Sequence, residues 1–137
     1  MKFCIFTFIS FLFIKIACAE IVELPISEAM SSNVVQTNLS SEVTFHFGKN
    51  NTQGKEIGTW VSNKKTNKVG KSIKESCYRA FASAIISLQA RAIKENANKV
   101  AKIHSYYKKV PFYSNEYFRC DVGNIMSGVA LRGTVMK

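Results

Sequence analysis

Apolar and polar positions change their period several times along the chain. Val43, Phe45 and Phe47 alternate with Thr44 and His46, the two-residue period of a half-buried strand. Gly48-Lys49-Asn50-Asn51 turns the chain, and IGTWVSN over 57–63 predicts a second strand. The basic stretch NKKTNKVGK, residues 63–71, reads as a loop. From Ile73 the period lengthens: Ile73, Cys77, Phe81, Ala84, Ile85, Leu88 and Ala92 recur at three- and four-residue steps. Tyr78, Ala82, Ile86 and Ile93 widen that apolar side, which predicts a helix lying flat on a sheet and reaching about Ala97. Ser72 and Glu75 have the spacing of a capping box, in which each side chain satisfies an amide at the helix start. Asn96 and Asn98 suit a left-handed terminator.

Two strands are expected next, Val100 to Lys108 and Glu116 to Val122, joined by a turn with Pro111 and Ser114-Asn115. A last strand covers about Ser127 to Val135, with Val129, Leu131 and Val135 on one face. The predicted fold class is α+β: one long helix packed on an antiparallel sheet in the order ββαβββ. Residues 43–137 form this single domain. Residues 20–42, with Pro25 and a serine- and asparagine-rich stretch, read as an extended lead-in in which ISEAM makes a helical turn.

The first nineteen residues follow a different logic. Met1-Lys2 gives a positive start, Phe3 to Ile14 is almost wholly apolar, and Ala17-Cys18-Ala19 offers small residues before Glu20. These are the three parts of a secretory signal peptide cut after Ala19. Lys15 interrupts the apolar run well short of the roughly 20 residues that a spanning helix needs. An uncleaved anchor is the alternative. A lipoprotein at Cys18 fits poorly, because Lys15 stands where a lipobox has an aliphatic residue. The expected location is therefore periplasmic or secreted.

Export changes the charge and cysteine counts. Without Lys2 and Lys15, 17 of the 19 basic side chains face 9 acidic ones, a net charge of +8. That excess favours anionic contacts such as nucleic acid, lipid head groups, lipopolysaccharide or acidic glycans, although a solvated charged face has the same composition. Cys4 and Cys18 leave with the signal, so Cys77 and Cys120 are the cysteines of the mature chain. Two cysteines in an oxidising compartment pair as a rule. Free thiols and a two-cysteine metal site are the alternatives. A disulfide would tie the first turn of the helix to a strand.

The segment ESCYRAFASAIISLQARAIKENANKVAKIHSYYKK and the later FRCDVGNIMSGVALRGTV resemble a group of small exported bacterial proteins of unknown function. Many of these carry the automatic label "excinuclease ATPase subunit". VTFHFGKN and WVSNKKTNK fit the upstream pattern of the group, so the resemblance covers about residues 43–135. Cys77 and Cys120 fall where its two cysteines fall, and Asn96 stands where the group more often has glycine. More distantly, the alanine-rich helix followed by Ala97-Asn98-Lys99-Val100 and two strands is similar to the Rcs stress-sensor lipoprotein and to a family named for heavy-metal binding. Those likenesses imply a fold more than a task.

The ATPase label fails on the residues. A phosphate loop needs G-x-x-x-x-G-K-[ST]. Gly70-Lys71-Ser72 precedes a helix, but Lys65 stands where the first glycine belongs, and Ser72 is explained by capping. No nucleotide or other cofactor is expected. His46 and His104 are the bases available near neutral pH, and no acid is spaced to support either in a nucleophilic triad, so no catalytic residue is named. A metal site on these histidines would need two further ligands, for which only the cysteines qualify, and none is expected. Asn38-Leu39-Ser40 and Asn50-Asn51-Thr52 match a glycosylation pattern that the bacterial resemblance discounts.

Binding chemistry is better represented. Tyr106, Tyr107, Phe112, Tyr113, Tyr117 and Phe118 surround Lys108, Lys109 and Arg119. Aromatic rings interleaved with bases stack on and pair with single-stranded nucleic acid, sugars or phosphates. Cross-strand packing produces the same pattern. Candidate anion-binding residues are Lys64, Lys65, Lys68 and Lys71 in the basic loop with Lys108, Lys109 and Arg119. Tyr106, Tyr107, Tyr113 and Tyr117 are the candidate aromatic surface. The expected function is non-enzymatic binding of an envelope partner or an anionic surface polymer; a metal- or redox-responsive sensor using Cys77 and Cys120 is the alternative.

Overall fold

A computed structural model describes residues 20–137. The expected signal peptide and its cut after Ala19, with Cys4 and Cys18, lie outside the described residues. The elements are β1 (Glu20–Pro25), α1 (Ile26–Met30), α2 (Asn33–Gln36), β2 (Thr44–Phe47), β3 (Glu56–Asn67), α3 (Ile73–Lys94), β4 (Lys99–Ser105), β5 (Tyr117–Val122) and β6 (Met126–Met136). They make a mixed α+β fold in which the long helix α3 lies across a six-stranded sheet.

The last strand is the spine of that sheet. β3 pairs along the whole of one edge of β6, from Glu56↔Met136 to Asn67↔Met126. The other edge is shared: β5 takes its start through Asp121↔Gly128 and Val122↔Ser127, and β4 takes its end from Ser105↔Leu131 to Lys99↔Met136. β1 flanks β5 and β2 flanks β4. Two expectations change here. The sheet is not wholly antiparallel, because β2 runs parallel to β4. β4 and β6 stand between β2 and β3. β4 ends at Ser105, and its link to the segment leading into β5 is the bridge Ser105↔Phe112 rather than a ladder.

Residues 20–42 are not an extended lead-in. Val22 and Leu24 of β1 stand opposite Cys120 and Phe118 and pack on the core. Ile26, Ala29 and Val35 of the two short helices are buried. The loop after them is clamped by the buried Gln89 of α3, which accepts from the Ser40 amide (2.8 Å) and donates to the Asn38 carbonyl (3.0 Å). Each bond satisfies a polar group that burial would otherwise strand.

α3 starts where expected, with Ser72 Oγ accepting from the Glu75 amide (3.0 Å). The reciprocal half of the box is replaced by an ion pair of Glu75 with Arg79 (3.2 Å). Asn96 adopts a left-handed φ of 53° and lets the Ala97 amide bond back to Ala92 (2.8 Å). Cys77, Phe81, Ala84, Ile85, Leu88 and Ala92 form the buried stripe together with Ala80. Ile73 and Ile93, expected on that side, are exposed at the helix ends. Leu88 approaches the sheet closely because Gly133 leaves room: a Cβ there would come within 2.7 Å of Val100 and 3.5 Å of Leu88. The Cys77–Cys120 disulfide (S–S 2.10 Å) joins α3 to β5 beside Phe81 and Phe118, whose rings lie 4.5 Å apart. Closing a loop of 43 residues restricts the unfolded chain by about 4 kcal/mol on the chain-entropy estimate.

Candidate binding face

The sheet face turned away from α3 carries the chemistry. Val129, Leu131 and Val135 of β6 point at the helix, so Gly128, Ala130, Arg132 and Thr134 point the other way. Register then places Lys65 opposite Gly128 and Val61 opposite Arg132 on β3. Asp121 stands opposite Gly128 from β5, which puts Arg119 and Tyr117 on the same face at two-residue steps. On β4 the alternation is broken by Lys102, whose left-handed φ of 53° inserts a bulge between Ala101 and His104. The extra residue turns Ile103 into the core and sends His104 to the open face, opposite Arg132.

The segment from Tyr106 to Glu116 folds over this position. Its base is held by the Tyr106 amide bonding to Ala130 (2.9 Å) and by paired bonds between Ser105 and Phe112 (3.2 and 2.8 Å). Tyr113 stacks on the His104 ring at 4.0 Å, and Tyr106 meets it edge-on at 6.0 Å. The Arg132 guanidinium lies 4.9 Å from the Tyr106 ring, Arg119 lies 3.8 Å from Phe112, and Lys49 lies 4.9 Å from Tyr113. Lys108 and Lys109 form an exposed tip in a single 3-10 turn, both with left-handed φ. A cleft of about 520 Å³ opens between this segment and the turn after β2, lined by Lys49, Asn50, Phe112, Tyr113 and Asn115.

His104 lies buried at the centre of the cluster. Its Nδ1–H donates to the Lys102 carbonyl (2.7 Å) and its Nε2 is buried without a partner. Burial pushes its pKa below the usual histidine value, and the nearby Arg132 charge adds to that, against the Lys102 bond, which acts the other way. His46 lies elsewhere, exposed on β2 and 3.2 Å from Thr44. Among the described residues, no three His, Cys, Asp or Glu side chains converge on a point where a metal ion would sit.

The structure therefore gathers some candidate residues and separates others. Arg119, Lys65 and Tyr117 share the open face, and Tyr106, Tyr113, Lys108 and Lys109 sit on or beside the segment that folds over it. Tyr107 is half-buried, with Lys108 over its ring (5.4 Å). The basic loop is largely strand: β3 continues to Asn67, so Lys64 and Lys65 point to opposite sides of the sheet. Lys64 lies on the helix side, and Lys68 and Lys71 are half-buried in the turn before α3. Arg132 was not singled out from the sequence. The signal was present, since a strand that buries Leu131 and Val135 must turn Arg132 outward.

Another cleft, of about 640 Å³, lies at the start of α3. Its charges are already matched: Lys74 pairs with Glu28 and Arg79 with Glu75. Tyr78 at its floor has its phenol pushed up to about 12 by burial and by the neighbouring Glu28. The Gly70-Lys71-Ser72 step at its rim follows a strand directly, and Ser72 Oγ is occupied as the helix cap. Among the described residues, no helix is long and apolar enough to cross a membrane. Compared with models of protein families, with curated proteins and with solved structures, the chain matches none.

Proposed function

We propose that this protein is a non-enzymatic binder of anionic envelope polymers, exported to the periplasm or beyond. The observation that supports this reading is the helix-free sheet face. There Lys65 and Arg132 stand among Tyr106, Tyr113 and Tyr117, with Lys108 and Lys109 at its rim, while Arg119 is paired with Glu23 (3.3 Å). Guanidinium groups parked over aromatic rings are pre-oriented and partly dehydrated, so they meet a sulfate, phosphate or carboxylate at low entropic cost. Exposed tyrosines beside them offer flat surfaces to sugar rings. The net charge of the chain without residues 1–19, 17 basic against 9 acidic side chains or +8, adds long-range attraction to such polymers. Export rests on the signal-peptide pattern of residues 1–19, and the resemblance to small exported bacterial proteins agrees with it.

The test is retention on immobilised heparin and lipopolysaccharide over a salt gradient. Near an anionic surface each basic side chain contributes on the order of 1 kcal/mol, about fivefold in affinity. Lys65→Glu combined with Lys108→Glu should weaken retention at least tenfold. Lys64→Glu combined with Lys71→Glu, on the other side of the sheet, should change it far less. Equal losses in the two pairs would show that only net charge matters and would sink the assignment of this face.

Use of Cys77 and Cys120 as a redox or metal switch receives no support from the geometry. Both are 0% exposed where α3 meets β5, and thiol–disulfide exchange needs an attacking thiolate to reach a sulfur.

A further inference from the structure

The strand that carries Lys64 and Lys65 has a free side. β3 is a 12-residue strand without proline, and β6 takes up the hydrogen-bonding groups of one of its edges only. Among the described residues, no strand pairs with the other edge. A long unpaired edge is a template for another extended chain, and proteins blunt it with bulges, proline or charged side chains, lysine above all; Lys64 and Lys65 guard this edge against a second basic chain but not against an acidic one. Here the irregularity is confined to the beginning, between Glu56 and Gly58, which leaves Thr59 to Asn67 regular.

The chemistry along this edge is one-sided. From Ile57 to Lys74 the chain holds Lys64, Lys65, Lys68, Lys71 and Lys74 and no acidic side chain. The acids at its margins are engaged: Glu56 with Lys102 (2.7 Å) and Glu95 with Arg91 (3.4 Å). Beside the edge, on the helix side, a notch of about 250 Å³ is lined by Trp60, Ser62, Leu88, Arg91 and Lys94. Its polar rim is basic and its floor is apolar, with Arg91 lying 5.0 Å from the Trp60 ring. A strand added to β3 would send alternate side chains into this notch and the others over the open face.

We infer that the free edge of β3 is a docking site for an extended acidic peptide segment of a partner protein, which adds to the sheet as a further strand. Main-chain hydrogen bonds supply the register. An aliphatic side chain fills the notch at Trp60 and Leu88, and carboxylates meet Lys64, Lys65 and Lys94. A second copy of this chain is the poorer occupant, because it brings the same basic excess to the same edge. The site shares Lys65 with the polymer-binding face and differs from it in its other residues and in its mode of recognition.

The probe is a synthetic peptide of about ten residues alternating valine and glutamate, long enough to span the regular part of the strand. It is titrated into the full chain while backbone amide exchange is followed by NMR. Binding should protect the alternate amides of Thr59–Asn67 that point away from β6. It should weaken roughly tenfold when alternate peptide amides are N-methylated, since the lost donors belong to the strand ladder. Lys64→Glu should weaken it as well, whereas Arg132→Ala should leave it intact while lowering heparin retention. Several results would overturn the inference: equal binding of the N-methylated peptide, equal binding of a valine–lysine peptide, or protection at Tyr106 and Arg132 instead of β3. Protection of the β3 amides that point away from β6 before any peptide is added would also overturn it, by a second copy if it scales with concentration and by residues 1–19 if it does not.

Discussion

On the helix side of β6, Val129, Leu131 and Val135 are 0% exposed beneath Phe81, Ile85 and Leu88. One position along, Ala130, Arg132 and Thr134 belong to the side with no helix. The same strands thus make two surfaces by alternation alone. The covered face is apolar over most of its area and close-packed, with the buried Ser76–Ser127 hydrogen bond (2.7 Å) as a polar point, so volume rules it. The open face keeps small residues at its centre, Gly128, Ala130 and Thr134, under long side chains from the neighbouring strands. Its rings and guanidinium groups meet at the distances of stacking and cation–π contacts rather than in an apolar core. Stability is concentrated on one face, and the groups suited to binding on the other.

Substitutions should separate the two faces, beginning with the largest effect. Phe81→Ala removes a fully buried ring next to Phe118 and should cost about 3–5 kcal/mol in chemical denaturation. A comparable loss from Tyr106→Ala on the open face would erase the distinction. Replacing Cys77 and Cys120 together by alanine should cost about 4 kcal/mol, most of it from the freed unfolded chain. A midpoint unchanged by reductant in the native protein would contradict this. Gly133→Ala should cost about 1–3 kcal/mol, because the new methyl meets Val100 and Ile103 where Leu88 already presses on the sheet. Arg132→Ala should change stability by less than about 1 kcal/mol while lowering retention on heparin.

The smallest expected effect concerns pH. Burial holds the folded His104 below its unfolded pKa, so the unfolded chain binds the proton more readily. Stability contributed by the neutral ring is present above the unfolded value and is lost as pH falls through the window beneath it. The thermal midpoint should therefore drop between pH 7 and pH 5.5 by more in the native protein than in His104→Gln. Parallel curves would remove His104 as the source.

How much was readable beforehand differs between elements. The stripe Cys77, Phe81, Ala84, Ile85, Leu88 and Ala92 announced α3, and Ser72 and Asn96 marked its ends, because caps and periodicity act within a few residues. In residues 20–42 the helical turn at ISEAM is present as α1, but the rest was misjudged as extended lead-in because its apolar residues, Val22, Leu24 and Val35 among them, are spread over short elements with no repeated period. Lys64 and Lys65 read as a loop because lysine and asparagine are poor strand residues. Pairing with Val129 and Gly128 overrides that preference. His104 was placed mid-strand, but the bulge at Lys102 that turns it outward has no local signature, since a left-handed lysine is a conformation imposed by the ladders on either side.

The sequence by itself determined the long helix, the segments that become strands β2 to β6, and the two cysteines that face one another in the core. These follow from interactions between near neighbours, or from the burial of residues that recur with a period. Only the tertiary structure decided that β6 is shared by three strands, that β2 runs parallel to β4, and that Lys65, Arg119 and Arg132 share one face. Strand neighbours are chosen by apolar area buried over the whole domain, and residues from four strands enter that sum at once. The face opposite the helix is what that choice leaves uncovered.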